Sequence, residues 1–160
     1  RLDEHCFYVD VEYILYPIPY VNSVIYFDIY VYMYRLAQVN QSVSMLGYQK
    51  HIQNHIDVIL HILDYINEYK KHSDCDKLKE VYMLRRIADM INNQVDIFIS
   101  YPLSNKTMRK KFAEFDADVK KRSADVYERS GELSHVLRLL RKTGFRFYTP
   151  LILMSKIRNR

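Results

Sequence analysis

The sequence predicts an all-α domain, on three observations. Apolar residues recur at helical spacing through three long segments. Only three glycines and four prolines interrupt 160 residues, and no second strand candidate exists to build a sheet. Composition agrees: 49% hydrophobic and 27% charged residues leave too little polar excess for disorder. A chain of this length forms one domain and buries about two-thirds of its unfolded surface.

The front of the chain is the least periodic. Val24 to Tyr34 is apolar almost all round and rich in β-branched and aromatic residues, so propensity alone would allow a strand. Its length and the lack of a pairing partner favour a helix from Tyr20 to Val39. That helix would be buried on one side and aromatic on the other, with Pro17 and Pro19 at its entry. The apolar stretch from Val11 to Tyr34 is not a membrane span, because Glu12, Pro17, Pro19, Asn22 and Asp28 interrupt it.

The next segments are regular. Ile52, Ile56, Ile59, Leu63 and Ile66 share one helix face, as do Val81, Leu84, Ala88, Ile91, Val95 and Phe98. Met108, Phe112, Phe115, Val119 and Val126 extend the pattern through a third, skipping Arg122. Each buried Ile, Leu or Phe contributes about 1.5–3 kcal/mol, so three such stripes can drive a bundle. Gly47 interrupts near the start of the second segment, and Lys70 to Asp76 is a polar connection. Ser100 to Ser104 forms a turn, with Ser104 or Asn105 as the next helix cap. After Ser130-Gly131 a shorter helix, Glu132 to Lys142, ends at Gly144, and an extended tail runs to Arg160. The expected organisation is a bundle over 1–130, with a basic helix and tail over 131–160 packed on the same domain.

Charge divides the chain. Residues 106–160 hold 15 Lys+Arg against six Asp+Glu, whereas residues 1–39 hold only Arg1 and Arg35 beside eight of the 15 tyrosines. A basic end of this kind favours anionic partners such as phospholipid, acidic glycoprotein or nucleic acid. The runs Arg109-Lys110-Lys111 and Lys120-Lys121-Arg122, with Lys106 before them, lie on one helix about three turns apart. Arg138, Arg141, Lys142, Arg146, Lys156, Arg158 and Arg160 extend the basic surface. The tyrosines do not interleave with these runs, which argues against nucleic acid. Tyr26, Phe27, Tyr30, Tyr32 and Tyr34 cover every side of the front segment. Part of this ring-bearing surface is expected to face outward and meet a membrane interface or a protein.

Chemistry-bearing motifs are sparse. No phosphate loop, nucleophile elbow or catalytic triad is present, so neither an enzyme nor a cofactor is expected. His51 and His55 lie one helical turn apart but lack the acidic neighbour of a zinc protease; they read as two exposed imidazoles, and no metal site is expected. Arg129 and His135 resemble the spaced Arg and His of the HEPN ribonucleases, where the imidazole is acid–base and the guanidinium steadies phosphate. Ser130-Gly131 between them makes a surface coincidence the simpler account. Asp116, Asp118, Glu128 and Glu132 read as solvated helix surface. Cys6 and Cys75 form either one long-range disulfide or two free thiols. The sequons at Asn40 and Asn105 hint only weakly at secretion. A chain opening at Arg1 reads as a mature form after leader removal, or as a recombinant start point.

Several short stretches, taken in order, resemble the gastropod sperm acrosomal proteins of the abalone type, the egg-envelope lysin and its small fusagenic paralogue. They are the opening Arg1, Phe7-Tyr8-Val9-Asp10, Phe27-Asp28, Tyr65-Ile66-Asn67, Arg85-Arg86-Ile87 with Asp89-Met90, and Arg122-Ser123-Ala124-Asp125-Val126. The resemblance covers residues 1–128. It implies a closed up-and-down bundle of about five helices, secreted from the sperm acrosomal vesicle and acting in fertilisation without turnover. Lysin-like members loosen the egg coat by stoichiometric binding to its glycoprotein, whereas fusagen-like members bind and mix bilayers. Absent tryptophan, modest charge, two cysteines and an extension over 129–160 depart from the lysin pattern; the low charge and abundant tyrosine favour the fusagenic side. The expected partner is gamete membrane lipid, with egg-envelope glycoprotein as the alternative and a homodimer compatible with either.

Overall fold

A computed structural model describes residues 2–33 and 44–158, with side chains to residue 155. Among them the chain is all-helical, with eight α-helices and no strand. These are α1 (Asp10–Leu15), α2 (Met45–Lys50), α3 (Ile52–Tyr69), α4 (Lys77–Ser100), α5 (Met108–Arg122), α6 (Ala124–Leu133), α7 (His135–Lys142) and α8 (Tyr148–Arg158). The number exceeds the five implied by the resemblance: α1 precedes the expected first helix, the expected helices carrying the Ile52 and Met108 stripes are each divided in two, and the tail adds α8.

The core follows the periodic stripes. Ile52, Ile56, Ile59, Leu63 and Ile66 are all buried on α3. On α4, Leu84, Ala88, Ile91, Val95 and Phe98 are buried, while Val81 at its start is exposed. At 24 residues α4 is the longest helix, about 36 Å, and it packs against α2, α3, α5, α6, α7 and α8. Its start is set by Asp76, whose Oδ1 accepts from Leu78 N–H at 2.8 Å and Lys79 N–H at 3.3 Å. Phe112 and Phe115 of α5 meet Phe98, with Phe98 and Phe112 stacked at 4.3 Å. Thr107 occupies the cap position of α5 without a side-chain bond, in place of Ser104 or Asn105.

Serines divide the back of the chain. Ser123 Oγ accepts from Val126 N–H, separating α5 from α6, so Val126 continues the third stripe on a new helix. Ser134 Oγ accepts from Leu137 N–H and begins α7, whereas Ser130 and Gly131 lie inside α6. A Cβ at Gly131 would stand 2.8 Å from Arg141 Nη1, so the end of that side chain would have to shift. Gly144 takes the left-handed conformation and stops α7 as expected. The expected extended tail is instead α8. Phe145, Tyr148 and Ile152 are buried at helical spacing, and Tyr148 OH donates to Phe98 O at 2.6 Å. Pro150 falls in the first turn, where a missing N–H costs nothing.

The expected helix from Tyr20 to Val39 does not form over its described part. α1 gives way to a 3-10 turn at Ile18–Tyr20, and residues 21–33 carry no helix; residues 34–39 lie outside the described residues. With apolar residues on every side, the segment has no single face to bury, and β-branched and aromatic side chains disfavour the helix.

Candidate interaction surface

The non-helical segment is the most unusual surface of the molecule. From Val24 to Met33 every residue except Asp28 is a large hydrophobic at least 67% exposed, with Tyr26 at 85% and Tyr30 at 99%. A soluble monomer rarely leaves so continuous an apolar run uncovered. The run carries no strand or helix, and a bend at Ile29 interrupts it. Four of the five expected aromatic residues are thus exposed, and Tyr34 lies outside the described residues.

The segment leaves the bundle from a fixed base. Tyr65 OH of α3 donates to Tyr16 O at 2.8 Å, and Lys79 Nζ of α4 donates to Pro19 O at 2.9 Å. The aromatic run therefore starts from anchored backbone.

The basic residues sort into two patches. Lys106, Arg109 and Lys110 are exposed at the start of α5, and Lys120 and Lys121 at its end, about 18 Å apart. Lys106 and Arg109 line a shallow hollow of about 180 Å³ together with Tyr148 and Thr149. Lys111 is half-buried. Arg122 is bound to Asp64 at 3.0 Å and Asp118 at 3.5 Å, so it is not part of a free cationic face. Lys110 lies 3.4 Å from Glu114, and Lys120 lies 5.2 Å from the Tyr127 ring centroid.

The two ends of α5 differ electrostatically. Cations in its last turn complement the helix dipole, whereas Arg109, Lys110 and Lys111 in its first turn oppose it, with no acidic residue there to compensate. Helix stability explains the first group and not the second. Arg141 and Asp116 correct two further expectations, since Asp116 is buried and the largely covered Arg141 side chain is paired with it at 2.7 Å. The side chain of Arg138 donates to the carbonyls of Gly131 and Glu132.

The remaining candidates do not assemble. Arg129 lines a cleft of about 350 Å³ with Glu80, Asp125, Glu128 and Glu132, an acidic setting for a phosphodiester. His135 begins a different helix, is exposed and does not line that cleft. His55 is buried against the edges of Tyr8 and Tyr48, and His51 is half-buried with its ring 3.8 Å from Phe7, so neither is the exposed imidazole expected. Burial pushes His55 down to about 4, against weaker opposition from Gln94 and Asp10.

Cys6 and Cys75 are free. Cys6 faces Asn54 and Asp57 near the start of α3, whereas Cys75 faces Tyr69 at its end. About 18 Å of helix separates those points, far beyond disulfide reach. One group with metal-ligand chemistry occurs among the described residues: Asp3, Glu12 and His61. No motif betrays it, because the three residues come from distant parts of the chain. No helix among the described residues is long and apolar enough to cross a membrane. No family model, curated protein or solved structure matches the chain.

Proposed function

We propose that this protein acts by adhesion, laying the segment 21–33 onto the interface of an anionic membrane and perturbing it without catalytic turnover. The observation that carries this is the run of uncovered hydrophobic residues from Val24 to Met33. The composition of the run suits an interface: its aliphatic side chains and Phe27 favour the acyl boundary, and its tyrosines favour the headgroups. Depth is limited, because a non-helical backbone cannot satisfy its N–H and C=O groups in hydrocarbon. Lys106, Arg109, Lys110, Lys120 and Lys121 supply attraction to anionic lipid, at about 1 kcal/mol for each one near the headgroups. The resemblance to the fusagenic acrosomal proteins supports a gamete membrane as target and secretion from the acrosome as its setting.

The test is flotation and lipid mixing with phosphatidylcholine vesicles, with and without phosphatidylserine. Micromolar protein is expected to bind and mix the anionic vesicles. Replacing Tyr26, Phe27 and Tyr30 by Ser should weaken binding at least tenfold, since each buried ring contributes about 1 kcal/mol or more. The melting temperature should not fall, because these side chains are already exposed. Failure to bind anionic vesicles, or full binding by the triple variant, would refute membrane adhesion. Dissolution of isolated egg envelopes with vesicles left intact would support the lysin-type alternative.

A further inference from the structure

The N-terminal segment, α1 and α3 bring three ligand-type side chains to one point. The donor atoms of Asp3, Glu12 and His61 all lie within 4.8 Å of one another. Glu12 is fully buried at 0% exposure, yet no Lys or Arg of the described residues pairs with it. Among the described residues its oxygens accept only from neutral donors: Oε2 from Asp3 N–H at 2.9 Å and Oε1 from Tyr16 OH at 2.8 Å. A carboxylate removed from water needs a compensating positive charge, from an ion pair or from a metal. Asp3 adds a second carboxylate to the cluster.

We propose that Asp3, Glu12 and His61 bind one divalent cation of the zinc class, fastening the N-terminal segment and α1 to α3. Asp3 Oδ2 and His61 Nδ1 stand 2.8 Å apart. Metal bonds of about 2.1 Å would span that edge at about 85°, an angle open to four- to six-coordinate sites. The ion takes the place of the proton these two atoms share, and that proton leaves to solvent. Two carboxylates and an imidazole suit zinc or manganese better than magnesium, which favours an all-oxygen shell. The outer contacts are in place, since Tyr16 OH and Asp3 N–H orient the Glu12 carboxylate. His61, with its side chain 52% exposed, leaves the cluster open to solvent for a further water ligand. Because α1 leads through the Ile18–Tyr20 turn into the exposed segment, a cation here would stiffen the base of that segment. The proposal does not depend on what the segment binds.

The experiment is calorimetric titration of the chelator-stripped full chain with zinc chloride, with a thermal melt in parallel. One zinc per chain at micromolar affinity is expected, with a melting temperature raised by several degrees. His61→Ala, at an exposed position the fold tolerates, should weaken binding at least tenfold and abolish the thermal shift. Asp3→Asn should act in the same direction. His72→Ala, beyond the end of α3, should leave both unchanged. No saturable uptake, uptake unaltered by His61→Ala, or an equal thermal shift with magnesium chloride would each overturn the site.

Discussion

His55 carries one imidazole into the space between Tyr8, Tyr48 and α4, where water cannot solvate its cation. The unfolded chain titrates this group at its ordinary 6.5, the folded chain at about 4. Between those values the unfolded state binds more protons, so folding stability is complete above pH 6.5 and declines as pH falls through the folded value. The loss amounts to about 3 kcal/mol. Glu80 adds to the acid side at lower pH. Burial alone would raise its carboxyl, but hydrogen bonds and charge from Lys77 and Lys70 outweigh that and hold it below its ordinary value. The two groups separate by window: urea midpoints measured between pH 6.5 and 5 should fall in the wild type and stay flat in His55→Gln. An equal slope in both proteins would assign the acid sensitivity elsewhere.

Helices α5, α6 and α7 are tied by one guanidinium. Arg141 Nε and Nη2 donate to both oxygens of Asp116 at 2.7–3.1 Å, and Nη2 donates also to Ser130 Oγ at 3.0 Å. A further bond runs to the carbonyl of Tyr127, and the guanidinium carbon sits 3.6 Å from that ring's centroid. Arg141→Ala strands the Asp116 carboxylate in the interior and should cost about 3–5 kcal/mol in urea denaturation. Adding Asp116→Leu to Arg141→Met should recover a large part of that loss, because the stranded charge is gone. A single variant as stable as wild type would show that this pair does not join the helices. The clamp also marks where legibility ended. Stripes of isoleucine and phenylalanine at spacings of three and four announced α3, α4 and α5, because periodicity is local. A pair separated by 25 residues has no local signal, and Asp116 looked like surface. α8 was hidden for a different reason: Gly144 and Pro150 read as an extended tail, although Phe145, Tyr148 and Ile152 already held the helical period. The front segment failed in the opposite sense, since a run without polar residues fits either period.

At the scale of the whole molecule, the proposed adhesion has two terms of different range, and salt can separate them. Contact of the 21–33 segment with an interface is short-ranged and apolar, and added electrolyte does not weaken it. Attraction by the exposed cations of α5 is screened: raising sodium chloride from about 0.05 to about 0.5 M shortens the Debye length from about 14 to about 4 Å. Binding to phosphatidylserine vesicles should therefore fall steeply over that range and level off at a residue of apolar adsorption. Binding to neutral vesicles should be weaker at low salt and nearly salt-independent. Lys106→Glu with Arg109→Glu should lower only the salt-sensitive part, and the Tyr26, Phe27, Tyr30 triple variant only the plateau. All five residues are exposed, so neither variant should lower the melting temperature. A salt profile identical on charged and neutral vesicles would remove the α5 cations from adhesion and leave the aromatic segment as its sole agent.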